Sequence, residues 1–354
     1  PPTAAGAVRS RPRTSSALQW TGRAGGATGG GDSGLHSQRM LDAPLRALFL
    51  WLAHRRWMAR LALRTPLARR FALRFVAGTT LDEAAAVVRE LNAAGIMATL
   101  DHLGESVTDR AMAQRAAADY VTIIERIASD GLDSNVSLKL TQMGLDLGVE
   151  ACLEVIRPVV EAGKRHGIFV RIDMESHEYT DQTLEVVRRL RADGYDVGPV
   201  IQSYLKRSKA DVAALAADRV RTRICKGAYA EPAEIAWHDR AAIGRSFVEL
   251  CRDLLEADAY PGVATHDPDM IQAVNRHVAE QGIPRERFEY QLLYGIRRDL
   301  QRRIVADGYR LRIYVPYGTE WYPYFMRRLA ERPANVMFFV RTLFGEGRKE
   351  RESA

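Results

Sequence analysis

From residue 80 onward, short β-rich runs alternate with helical stretches, and the pattern repeats eight times. The runs are IMATLDHLG (96–104), NVSLKLTQ (135–142), FVRIDME (169–175), VGPVIQSYL (197–205), RTRICKGAY (221–229), GVATHD (262–267), FEYQLLYG (288–295) and LRIYVPYG (311–318). Between them lie helical patterns such as TLEVVRRLRADG (183–194) and AEIAWHDRAAIGRSFVELCRDLLEA (233–257). Strand-then-helix units force parallel pairing, because each crossover carries the chain back to the same end of the sheet. Eight near-regular units predict an α/β fold, a (β/α)8 TIM-like barrel. A doubly wound open sheet is the alternative, and the regularity of the repeats favours closure.

The flanks read differently. Residues 1–38 are rich in Gly, Ser, Ala, Thr and Arg and predict a disordered extension. Their GGGDSG (29–34) matches a dinucleotide fingerprint by letter alone, since no strand precedes it. Residues 39–76 look helical and basic, within an N-terminal helical arm assigned to 39–80. The catalytic barrel is assigned to 81–345 and a C-terminal tail to 346–354. After the eighth run comes WYPYFMRRLAERPAN (321–335), which reads as a short helix, with Pro323 suited to its first turn and Pro333 marking its stop.

Composition excludes several classes. The chain has 354 residues, 47% of them apolar, enough for a large core. Its three cysteines have no metal-like spacing and cannot make a disulfide framework. The formal charge of +7 comes partly from arginines in the N-terminal tail. No dense basic run with interleaved aromatics marks a nucleic-acid surface. No apolar run reaches the ~18 residues that span a bilayer. The first forty residues lack an apolar signal core, so no signal peptide is expected. The basic 39–76 segment can lie on an anionic membrane or simply pack on the barrel.

In such barrels the chemistry sits at the C-terminal ends of the strands. Each run carries polar residues: Asp101 and His102; Lys139 and Thr141; Arg171, Asp173 and Glu175; Gln202 and Tyr204. The later runs carry Arg223, Lys226 and Tyr229; Thr265, His266 and Asp267; Glu289, Gln291 and Tyr294; Arg312, Tyr314 and Tyr317. Any one of them can be structural, and Arg171 with Asp173 or Glu175 can be an internal ion pair. Together they predict a pocket. Lys139, Arg223, Lys226, Arg327 and Arg328 outnumber Asp173 and Glu289, so the pocket should be positive and take an anionic group. Arginine forks match carboxylate or phosphate oxygens. No metal-ligand motif occurs, so no metal is expected. A Schiff-base aldolase using Lys139 or Lys226, and a non-enzymatic barrel that senses an anionic metabolite, both remain open.

VSLKL, VRIDME, RICKGAY, ATHD, FEYQLLYG, RIYVPYG and YFMRRLAERPAN, in this order, resemble bacterial proline dehydrogenase in its single-function form. The resemblance spans roughly residues 75–345. It implies an FAD enzyme on a distorted (β/α)8 barrel, with the last helix over the barrel mouth, that oxidises L-proline to 1-pyrroline-5-carboxylate, the first step of proline catabolism to glutamate. It implies that Arg327, Arg328 and Lys139 hold the substrate carboxylate, that Tyr314 and Tyr324 pack around the ring, and that Glu331 aims the arginines. Asp173 and Arg223 would serve catalysis. Met174, Gln202, Arg223, Lys226, Gly227, Ala228, Thr265 and His266 would lie against FAD. Strand parity puts Arg223 and Lys226 on opposite faces, so both reach the cofactor only if the strand ends or bulges near Lys226, a path that Gly227 permits. The implied partners are membrane quinone as electron acceptor and a separate pyrroline-5-carboxylate dehydrogenase. The implied location is cytoplasmic, with peripheral contact at the inner membrane face.

Overall fold

The computed structural model describes residues 74–326, apart from 105, 106, 108 and 323. The N-terminal extension, nearly all of the expected helical arm, the C-terminal tail, and Arg327, Arg328 and Glu331 lie outside the described residues. The eight strands are β1 Met97–His102, β2 Ser134–Lys139, β3 Val170–Asp173, β4 Val197–Gln202, β5 Arg223–Cys225, β6 Gly262–Ala264, β7 Glu289–Leu293 and β8 Leu311–Tyr317. They pair in parallel in chain order, and β8 closes onto β1. The closing register runs from Met97 opposite Arg312 to His102 opposite Tyr317. The open-sheet alternative is therefore excluded.

The helices are α1 Leu81–Ala93, α2 Arg110–Ser129, α3 Val149–His166, α4 Thr180–Ala192, α5 Ser208–Ala217, α6 Arg240–Glu256, α7 Pro268–Glu280 and α8 Arg298–Ala306. Several start on side-chain caps that satisfy orphan backbone donors. Thr80 and Glu83 form a reciprocal capping box on α1. Asp109, Asp239 and Asp267 cap α2, α6 and α7. The helix expected over 233–257 begins only at Arg240. The preceding segment is drawn onto the end of β4 instead: Leu205 bridges Ala236, and the Trp237 amide donates to the Tyr204 carbonyl at 2.7 Å. Among the described residues no helix is long and apolar enough to cross a membrane.

Strand alternation divides the barrel wall into two unlike faces. Outward residues such as Leu100, Val136, Leu138, Ile172, Ile224, Val263, Ile313 and Val315 are fully buried against the helices. Fully burying each such side chain stabilises by about 1.5–3 kcal/mol, so the apolar core is the layer between strands and helices. The alternate positions carry Asp101, Ser137, Lys139, Arg171, Asp173, Arg223, Glu289, Gln291, Arg312 and Tyr314. Branched apolar residues usually fill that interior. Here it is a hydrogen-bonded polar column, and small residues make room for it. A Cβ on Gly262 would stand 2.9 Å from the Gln291 amide carbon.

Candidate active site

The strand ends bring three expected residues, Lys139, Arg223 and Tyr314, onto the carboxylate of a fourth, Asp173. Asp173, last in β3, accepts hydrogen bonds from Ser137 Oγ at 2.6 Å and Arg223 Nη1 at 2.8 Å on one oxygen. Its other oxygen accepts from the Tyr314 hydroxyl at 2.9 Å, and the Lys139 ammonium stands 3.9 Å away. Arg223 is fixed further by the Gln291 side-chain oxygen, and its guanidinium lies 5.3 Å from the centre of the Tyr314 ring. β2, β3, β5 and β8 thus supply one connected group, as the barrel geometry requires.

Asp101 completes the group, and sequence reasoning left it out of the site. It is fully buried at the end of β1, 3.5 Å from the Lys139 ammonium. Its Oδ1 accepts from the Tyr120 hydroxyl of α2 at 3.3 Å, while its buried Oδ2 has no hydrogen-bond partner among the described residues. Ser137 was missed, and Gln291, named on the seventh run, was given no role. Period-2 alternation from Lys139 and Glu289 would have placed both on the inner face.

The charges tune one another. Burial alone would pull Lys139 down, but Asp101, Asp173 and Glu175 outweigh it and hold the ammonium above its ordinary range. Burial pushes Asp173 up; Arg223, Lys139 and the Ser137 and Tyr314 donors overcome that and hold it low. Asp101 is raised, by burial first and by Asp173 as a second anion, against the pull of Lys139. Two carboxylates at one site are thereby pushed apart, a feature common where proton positions matter.

The residues expected to flank a cofactor ring the same mouth. β5 ends at Cys225, so Lys226 escapes strand parity as anticipated, and Gly227 takes a positive φ of 105°. A Cβ there would collide with the Tyr204 ring. Lys226 pairs with Asp267 at 2.8 Å, and Asp267 also caps α7. Thr265 Oγ1 accepts from the Asp267 amide at 3.1 Å. Gln202 donates to the Glu175 carbonyl at 2.7 Å, beside the buried Met174. His266 Nε2 accepts the Leu293 amide at 3.0 Å, which leaves the ring proton on Nδ1. Ala228 is exposed on the loop after β5.

Two expectations are corrected. Arg171, Glu289 and Arg312 do not face this mouth. Each lies at or next to the first residue of its strand, so all three belong to the opposite, N-terminal floor, where Arg312 pairs with Glu289 at 2.7 Å. Arg171 bonds the carbonyls of Pro199 and Arg221 rather than Asp173 or Glu175. Glu175, beyond the end of β3, takes hydrogen bonds from Thr141 instead. Nor is the mouth positive among the described residues. Lys139, Arg223 and Lys226 are met by Asp101, Asp173 and Asp267.

Floor and mouth are joined. Arg312 Nε donates to Glu289, Gln291 Nε2 donates to the same Glu289 oxygen at 2.6 Å, and Gln291 Oε1 takes Arg223. A single polar chain thus runs Arg312–Glu289–Gln291–Arg223–Asp173–Tyr314 along the barrel. Beyond β8 the chain turns helical, with Trp321, Tyr322, Tyr324 and Phe325 all buried. Phe325 packs on Trp321 and on Phe75.

Comparison with known proteins agrees with this geometry. The family model described as proline dehydrogenase matches residues 84–341, a span that includes Arg327, Arg328 and Glu331. Proline dehydrogenase 1 of Bacillus subtilis (strain 168) is 40% identical over 297 residues, 84% of this chain and 98% of its own. Proline dehydrogenase of Deinococcus radiodurans is 40% identical over 306 residues, 85% of this chain and 98% of its own. Among solved structures, proline utilization A from Bdellovibrio bacteriovorus superposes with a TM-score of 0.70 at 27% identity. That match covers 74% of this chain and only 32% of the larger protein, so the chain spans about a third of that relative. With a closed parallel barrel, a polar cluster at its mouth and near full-length relatives at this identity, the chain belongs to the proline dehydrogenase family, enzymes that oxidise proline in the first step of its catabolism.

Proposed function

We propose that this site oxidises L-proline to 1-pyrroline-5-carboxylate on FAD. The observation that carries the reading is the Lys139–Asp173–Arg223–Tyr314 cluster, which converges on the barrel mouth from four strands. The residues expected around FAD suit it. Arg223, Gln202 and Lys226 carry donors of the kind that a flavin edge and a pyrophosphate need. The positive φ of Gly227 brings bare backbone to the same rim. FAD, when bound, supplies the hydride acceptor for carbon 5 of proline.

The protein residues then bind and orient. The Lys139 ammonium, with Arg327 and Arg328, holds the substrate carboxylate, and Glu331 aims the arginines. Tyr314 and Tyr324 wall the ring. Asp173 is held ionised and fixes Arg223, so that the guanidinium keeps one orientation through turnover. Met174, Gln202, Lys226, Gly227, Ala228, Thr265 and His266 line the cofactor. Electrons pass on to a membrane quinone, and a separate pyrroline-5-carboxylate dehydrogenase takes the product. The enzyme acts in the cytoplasm and meets the membrane peripherally through its basic N-terminal arm.

The charge state of Lys139 weighs against the aldolase alternative. An imine-forming lysine attacks as the neutral amine, and two carboxylates keep this one protonated. Lys226 is likewise paired. The deciding experiment is a visible spectrum of the purified protein. A flavin band that bleaches on anaerobic addition of L-proline supports the proposal. A colourless protein that borohydride traps with a keto acid refutes it in favour of imine chemistry, and binding without turnover refutes it in favour of a sensor.

A further inference from the structure

The floor of the barrel holds a second cavity, of about 250 Å3, at the end opposite the site above. It is lined by residues that precede or begin strands. Four of them are arginines, Arg171, Arg221, Arg310 and Arg312, against two carboxylates, Asp133 and Glu289. Those carboxylates are already committed. Glu289 is bonded by Arg312, Gln291 and the Tyr260 hydroxyl. Asp133 acts on Arg312 as well.

Arg171 is the least compensated. It is 3% exposed, and its Nη1 reaches only the main-chain carbonyls of Pro199 and Arg221. Among the described residues its buried Nε has no hydrogen-bond partner. Burial first, with Arg223 and Arg312, drives the guanidinium well below its ordinary range, and Glu289 and Asp173 offset this only in part. A guanidinium does not surrender its proton in a protein, so Arg171 stays a charged group short of a counter-ion. Arg221 and Arg310 flank the Tyr260 ring at 5.5 and 5.6 Å, and both are exposed at the rim. Arg221 has Asp196 at 3.5 Å; among the described residues neither Arg171 nor Arg310 has a carboxylate at ion-pair distance.

We propose that this floor cavity is a binding site for a small oxyanion, a phosphate or a short dicarboxylate, held by Arg171 from below and by Arg221 and Arg310 at the rim. The cavity volume admits either, and planar guanidinium forks aimed at one space match oxygen pairs. The site is separate from the proline-oxidising mouth and does not depend on that assignment.

The test is thermal denaturation of the full chain, titrated with inorganic phosphate and separately with succinate at constant ionic strength, with sodium chloride as reference. Wild-type protein should show a saturable rise in Tm with at least one of the two, and which one identifies the source of the oxygens. The Arg221→Ala/Arg310→Ala double variant keeps Arg171 and the barrel wall intact. It should raise the half-saturating anion concentration at least tenfold while proline turnover stays unchanged. That comparison also separates the floor from anion binding at the mouth. No saturable shift beyond chloride with either anion, or an undiminished shift in the double variant, would overturn the proposal.

Discussion

Tyr314 of β8 donates its hydroxyl to Asp173 of β3 at 2.9 Å, across the interior of the barrel. The contact joins strands that are not neighbours, so it is made through the pocket rather than along the sheet. Replacing Asp173 with Ala leaves Arg223 and Lys139 buried without their shared anion. A broken buried pair costs about 3–5 kcal/mol. Asp173→Ala should lower unfolding stability by that order in urea titration and also abolish most turnover. Tyr314→Phe removes one donor to a charged acceptor and should cost roughly 1.5–3 kcal/mol. A Phe variant as damaged as the Ala variant would argue that the hydroxyl, not the carboxylate, organises the site.

The pH dependence of stability has a definite sign. Asp173 is held below its ordinary 3.8, so its contribution is present above that value and lost as pH falls through the lower folded value. Lys139 is held above its ordinary 10.5, so its contribution is complete below 10.5 and lost as pH rises beyond it. Asp101 runs the other way: its raised value means that stability falls as pH climbs from 3.8 through the folded value. Asp101→Asn should flatten that fall. Denaturant midpoints from pH 3 to 7 for both proteins check it, and parallel curves would contradict the role of Asp101.

Gly227 is held at a φ that L side chains rarely adopt, with Tyr204 where a Cβ would go. Gly227→Ala should therefore displace the loop after β5, at a backbone cost of order 1–3 kcal/mol. The flavin-to-protein ratio of the purified variant should drop well below that of wild type. Full loading with an unchanged Tm would show that this backbone path is not part of the cofactor rim.

Arg327→Met or Arg328→Met should weaken proline binding while FAD stays bound. A charge-assisted hydrogen bond is worth about 1.5–3 kcal/mol. The loss corresponds to a KM increase on the order of 10- to 100-fold. Steady-state kinetics with an absorbance spectrum of the same preparation tests both halves, and a wild-type KM in either variant would remove that arginine from the carboxylate clamp.

Much of the barrel was legible because apolar alternation and eight repeats are local signals. The end of β5 beside Lys226 was legible too, since parity demanded it and Gly227 allowed it. What alternation cannot tell is height along the barrel. Arg171 and Asp173 share one inner face but point to opposite ends, because β3 is only four residues long and each carboxylate or guanidinium turns towards its nearest partner. Asp101, named at the end of the first run, was given no role for a related reason. Its partners, Lys139 and Tyr120, lie far away in sequence, and only closure of β1 against its neighbours brings them together. The 233–239 stretch has helical composition, yet Tyr204 and Leu205 compete successfully for its backbone.

The Gln291 amide is the one link in the interior column with a head and a tail. Its oxygen faces a donor, Arg223, and its nitrogen faces an acceptor, Glu289. Turned end for end, it would set donor against donor above and acceptor against acceptor below. The column therefore has a direction, and this one side chain enforces it. An evolving sequence can exchange apolar residues in the outer layer one at a time, but polar changes along the axis have to be made in matched sets. The interior should drift slowly and in blocks, while the shell around it drifts freely.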